Sequence, residues 1–132
     1  MQNCKGTIRA MEGKTGQRVL VCGGRDFWEQ EVVNAVLDRF KPSLLIEGGG
    51  PGADKCAQTW GQKALVPVMT FTAPWGKAGK GAGPLRNKWM LTIGAPDLVI
   101  AFPGGKGTAD MKKQAKERGV PVWEYEKVGG AA

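Results

Sequence analysis

Three times in this chain a short apolar run stops at a cluster of glycines and is followed by a stretch with helical spacing. The runs are Arg18 to Cys22 (RVLVC), Ser43 to Ile46 (SLLI) and Leu98 to Phe102 (LVIAF). The turns after them begin at Gly23, at Gly48 and, past Pro103, at Gly104. Apolar runs this short that do not alternate with polar residues read as strands covered on both faces, the condition of a parallel sheet. Parallel neighbours need a crossover, and the helical stretches supply it. A chain built on this unit is neither all-β nor all-helical; it is an α/β sheet with helices on its faces.

The rest of the chain fills in that plan. Val32, Val33, Val36, Leu37 and Phe40 share one face of a helix running from about Trp28 to Phe40, with Asp26 placed to cap it. A second helix, Ala53 to Gln62, presents Cys56, Ala57 and Trp60 inward. Val66 to Phe71 (VPVMTF) reads as a third strand that Pro67 pushes toward an edge. Leu85 to Thr92 is a helix offering Leu85, Trp89 and Met90 to the core. Ala109 to Arg118 is another, with Met111 and Ala115 buried and Gly119 as its stop. Val120 to Tyr125 closes the sheet. Five strands and four helices predict a three-layer α/β/α domain with a mostly parallel five-stranded sheet. Its bounds are read as 18–126, with residues 1–17 a flexible arm and 127–132 a flexible tail. With 132 residues there is room for one domain and its core. Thr72 to Pro84, with four glycines and two prolines, reads as a long irregular loop of functional character.

Ligands of such sheets bind beyond the carboxyl ends of the strands, and all three glycine turns lie at those ends. Backbone N–H groups of Gly23, Gly24, Gly48, Gly49 and Gly50 are thereby expected to surround one pocket. Pro103, Gly104, Gly105, Lys106, Gly107 and Thr108 form its strongest wall, because a helix N-terminus follows them and favours a phosphate. Arg25 and Arg86 lie beside glycine-containing loops at helix starts, from where a guanidinium forks onto a phosphate. Asp26 and Asp54 read either as helix caps or as partners of a ribose hydroxyl, and Asn87 as a further sugar contact. Trp75 reads either as a stacking surface for a nucleobase or as a plug between loop and domain.

Composition narrows the chemistry. There are 19 Lys and Arg against 12 Asp and Glu, a net charge of +7, which favours an anionic ligand and keeps nucleic acid as a less favoured partner class. Lys112, Lys113, Lys116 and Arg118 read as a solvated helix face, without the interleaved aromatics of a single-strand binder. The chain has no histidine, which excludes a histidine base, triad or metal ligand. Cys4, Cys22 and Cys56 are widely spaced and form no CxxC pair, so neither a disulfide framework, a metal site nor a metal cofactor is expected. GGRDF is not the dinucleotide fingerprint, and Gly13, Lys14 and Thr15 lack the strand and the earlier glycine of a P-loop. No apolar run approaches the ~18 residues that span a membrane, and the first residues lack the apolar segment of a signal peptide, so a cytoplasmic protein without membrane partners is expected.

Together VCGGRDF, EGGGPGAD, GPLRNKWM and AFPGGKGTAD, in this order, resemble the small SLOG-superfamily domains related to YspA and YpsA, over roughly Arg18 to Tyr125. More distantly the chain is similar to the Lonely guy phosphoribohydrolases. The resemblance implies a Rossmann-like fold, a pocket for a nucleotide or nucleotide-derived ligand, and pairing into dimers or larger homo-oligomers. PGGKGT from Pro103 to Thr108 matches the phosphate-binding signature of the hydrolases, and Arg86, four before Met90, their active-site arginine. Their catalytic glutamate falls at Met111; Asp110 is adjacent but turned by about 100 degrees on a helix. The resemblance thus implies binding or sensing as the leading function. An N-glycosidic hydrolase using Arg86 with Asp110, Asp54 or Asp26 is the alternative, and nucleic-acid binding a third.

Overall fold

The computed structural model describes residues 16–126. The expectations for the arm and tail otherwise lie outside those residues. Gln17, read as the end of the arm, is already docked: it is buried, and its carbonyl accepts the N–H of Ser43 at 2.9 Å.

Five strands carry the sheet: β1 (Arg18–Cys22), β2 (Leu44–Glu47), β3 (Val68–Thr70), β4 (Leu98–Ala101) and β5 (Val122–Glu124). Their spatial order is β3-β2-β1-β4-β5 and every pairing is parallel. The helices are α1 (Gln30–Phe40), α2 (Ala53–Ala64), a four-residue α3 (Trp75–Ala78), α4 (Ala82–Thr92) and α5 (Lys106–Glu117). The chain runs outward from β1 to β3 and then crosses back to β4 on the other side of β1. That reversal beside β1 is the switch point where the strand ends leave a crevice.

Strand side chains alternate between the two faces, and the core divides accordingly. Val19, Val21, Leu45, Leu98 and Ile100 pack with Val33, Leu37 and Phe40 of α1 and Ala57 of α2. Leu20, Cys22, Ile46 and Val99 pack on the opposite face with Met90 and Leu91 of α4 and Met111 and Ala115 of α5. The three central strands are buried along nearly their whole length, so they carry no polar alternation. The edge strands β3 and β5 are only half covered and shorter than the runs Val66 to Phe71 and Val120 to Tyr125 suggested. Pro67 sits before the edge strand, where its carbonyl still accepts the N–H of Leu45 at 2.9 Å.

Three local expectations are corrected. Asp26 does not cap α1: the helix starts at Gln30 after Glu29, too far along the chain for that side chain, and no side-chain cap is made. The stretch Thr72 to Pro84 is not irregular, because α3, a 3₁₀ turn over Gly79–Gly81 and the first turn of α4 occupy most of it. Pro84 is tolerated there because the third residue of a helix has no acceptor for its missing N–H. Finally α5 begins at Lys106 rather than near Ala109, so the PGGKGT segment is itself part helix. Among the described residues no helix is long and apolar enough to cross a membrane.

Candidate functional site

All three glycine turns line one cleft of about 910 Å³ beyond the carboxyl ends of β1, β2 and β4. Gly24 locks the turns together. Its N–H donates to the carbonyl of Pro103 at 2.7 Å, and its own carbonyl accepts from Phe27 and Ala53, both at 3.1 Å. Gly52 makes this contact possible. It sits at φ +78°, and a Cβ there would run into the Gly24 carbonyl and the Arg25 backbone.

The second turn is organised by acids. Glu47, at the end of β2, is fully buried and carries three donors: the Gly49 N–H at 2.5 Å, the Thr70 hydroxyl at 2.5 Å and the Gln58 amide at 3.2 Å. Asp54, the second residue of α2, accepts the Gly50 N–H at 3.1 Å. Burial pushes its carboxyl up from an ordinary 3.8 to about 6, and the nearby charge of Glu47 adds to this. The Gly50 hydrogen bond and the Arg86 charge pull the other way. Asp54 is therefore not an N-terminal cap of α2 but the clasp of the preceding turn. Sequence reasoning missed Glu47, although an acid closing an apolar strand ahead of three glycines was the available signal.

These bonds redistribute the expected donors. The N–H groups of Gly24, Gly49 and Gly50 are engaged inside the protein. On the third wall Lys106, Gly107 and Thr108 form the first turn of α5 behind Gly105, with no side-chain cap. The first N–H groups of a helix have no intrahelical acceptor, and these three residues line the cleft.

Arg86 reaches the cleft from α4. Its Nη1 donates to the Gly48 carbonyl at 2.9 Å and its Nε to Asn87 Oδ1 at 3.1 Å. The guanidinium lies so close to Gly48 that a Cβ on that residue would collide with it. The remaining three N–H groups of the fork have no protein acceptor among the described residues. Asn87 is buried, and its amide donates to the Gly107 carbonyl at 3.2 Å and to Asp110 at 3.0 Å, so it fixes Arg86 and the start of α5. Arg25 and Asp26 stand exposed on the cleft rim, as does Lys106. Trp75, also in the lining, is 62% exposed.

The remaining candidates are placed elsewhere. Asp110 does not line the cleft; its carboxylate accepts from Asn87 and, at 2.7 Å, from Gln114. Met111 is fully buried in the core between sheet and α5, so that position presents no acid to a ligand. Cys22 touches the cleft floor, but burial raises its thiol to about 12, which removes it as a nucleophile. Trp60 is core: its indole N–H donates to Asp38 at 2.9 Å. Lys112 pairs with Glu124 at 3.1 Å.

An all-parallel α/β sheet with a basic helix-start cleft at its switch point is a Rossmann-like domain, with the site where such domains hold ligands. The chain belongs to the YspA, cpYpsA-related SLOG family, whose model matches residues 17–77. It is similar to the Gene 61 protein of Mycobacterium phage D29, at 33% identity over 121 residues that cover 83% of this chain and 96% of that protein.

Proposed function

We propose that the chain binds or senses a small nucleotide-derived ligand, a nucleoside phosphate or an ADP-ribose-like molecule, with a phosphate on the first turn of α5. The observation that carries this reading is the set of uncapped N–H groups of Lys106, Gly107 and Thr108, facing a cleft that also receives Arg25 and Arg86. Helix dipole, backbone donors and two guanidinium groups act on one anion there, and each favours negative charge. A volume of about 910 Å³ holds far more than a phosphate and suits a nucleotide. Asp54, on the opposite wall, offers a carboxylate oxygen to a sugar hydroxyl. Membership of a SLOG family agrees with a nucleotide-related ligand.

Calorimetry with ribose 5-phosphate and the four nucleoside monophosphates tests the reading. Binding is expected at sub-millimolar concentration, and silence of a folded sample at millimolar ligand sinks it.

One observation favours a second reading, N-glycosidic hydrolysis of a nucleoside monophosphate. Asp54 lines the cleft with its carboxyl raised to about 6, so part of it is protonated near neutrality and available as a general acid. Against it stands Met111 in the core, where the related hydrolases carry their glutamate. Chromatography for released base separates the readings: release that disappears in Asp54→Asn supports hydrolysis, and none with tight binding supports a sensor.

A further inference from the structure

Trp75 is a large apolar side chain held out into a cleft instead of being covered. It is 62% exposed and belongs to neither of the two cores. Its indole edge lies over Gly83, where an added Cβ would sit 3.6 Å from Cη2. As a plug it would be buried between loop and domain, and it is not. The backbone around it is held in place: Trp75 N–H donates to the Ala73 carbonyl at 2.9 Å, Ala73 is buried, and α4 follows closely through the Gly79–Gly81 turn. A positioned aromatic face with an open side, in the lining of a cleft whose other walls supply cations and N–H donors, has the form of a stacking platform.

We infer that Trp75 is the subsite for a planar aromatic ring of the ligand, so that the cleft selects a base-bearing phosphate over the bare sugar phosphate. This rests on the phosphate reading given above and adds to it the group that carries the selectivity. The parts of the cleft divide the task. The first turn of α5 and Arg86 hold the charge, which every phosphorylated sugar shares, whereas Trp75 touches only what a nucleobase adds. Stacking on an indole face tolerates any base, since each has a π-face, so the preference is expected to separate nucleotides from sugar phosphates more sharply than one nucleotide from another.

The test compares ribose 5-phosphate with AMP, GMP, CMP and UMP by calorimetry, on the wild-type chain and on Trp75→Leu. Loss of an exposed indole leaves the core intact, and a thermal melt checks that the variant is folded. The wild-type chain is expected to bind at least one nucleotide about tenfold more tightly than ribose 5-phosphate. In Trp75→Leu that advantage is expected to vanish while the affinity for ribose 5-phosphate stays unchanged, and Trp75→Phe is expected to restore part of it. Equal affinity of the wild-type chain for sugar phosphate and nucleotides overturns the platform and leaves the phosphate site standing. An advantage that survives in Trp75→Leu overturns it too, as does equal weakening of all ligands. Failure of every compound to bind the wild-type chain overturns the phosphate reading and the platform together.

Discussion

The Gly24 N–H donates to the Pro103 carbonyl at 2.7 Å, joining the first glycine turn to the third across the top of the sheet. With the Ala53 N–H on the Gly24 carbonyl, one residue links the ends of β1 and β4 to the start of α2. The cleft is thus rigid on the side of the switch point, and its shape depends on close backbone approach.

Gly52→Ala tests that dependence. The position has φ +78°, and the new methyl group meets the Gly24 carbonyl, so either the turn opens or the fold is strained. A loss of about 1–3 kcal/mol is expected, seen as a lower melting temperature. Gly105→Ala, where an added Cβ meets nothing within 4 Å and φ is −101°, is the control and is expected to melt within a few degrees of the wild-type chain.

Glu47→Gln addresses the acid beneath the second turn. The carboxylate accepts from Gly49, Thr70 and Gln58, and a glutamine amide offers one oxygen and an NH₂ group to the same three donors. Set toward Gly49, the new NH₂ group faces an N–H; set toward Thr70 and Gln58, it forces the hydroxyl to turn into an acceptor and the Gln58 amide to turn over, in a fully buried place. A destabilisation of about 1–3 kcal/mol is expected in urea unfolding, larger than for Glu124→Gln, whose pair with Lys112 is exposed.

Arg86→Ala separates stability from binding. Its two partners in the protein, the Gly48 carbonyl and Asn87, both sit at the cleft, and three N–H groups are left for a ligand. Removing a forked cation from an anion is expected to weaken binding of a nucleoside monophosphate at least tenfold. Arg86→Lys keeps the charge without the fork and is expected to recover only part of the affinity. Calorimetry on both variants, with melts as the folding control, checks this.

How much of this was legible before the structure follows from what hides a residue. β1, β2 and β4 stood out because burial on both faces leaves an apolar run without polar alternation between Arg18 at the start of β1 and Glu47 at the end of β2, and their glycine turns located the cleft. The start of α4 was hidden because Gly83 and Pro84 are poor helix signals, although the first turn of a helix makes no demand that proline fails to meet. Counting glycines also could not tell which amides are free. Gly49 and Gly50 looked like anion donors, but Glu47 and Asp54 engage their N–H groups, and that pairing depends on a side chain four residues further on and another behind. The turn before α5 has no such acid, and no side chain caps the first turn of that helix.

Asp54 supplies the pH dependence. Its carboxyl titrates near 6 in the folded chain and near 3.8 when unfolded, so between those values the folded state holds more protons. Stability from this group is therefore fully present below about pH 4 and is lost as pH rises through 6. The rise from 3.8 to about 6 sets an upper bound of ~3 kcal/mol. Asp54→Asn keeps an oxygen for the Gly50 N–H and removes the charge. The variant is expected to match the wild-type chain at pH 4 and to exceed it by about 1–3 kcal/mol at pH 8. Unfolding by urea at both pH values reads the difference directly. A constant offset would mean that Asp54 acts through its hydrogen bond alone, and that its charge is already compensated by Arg86.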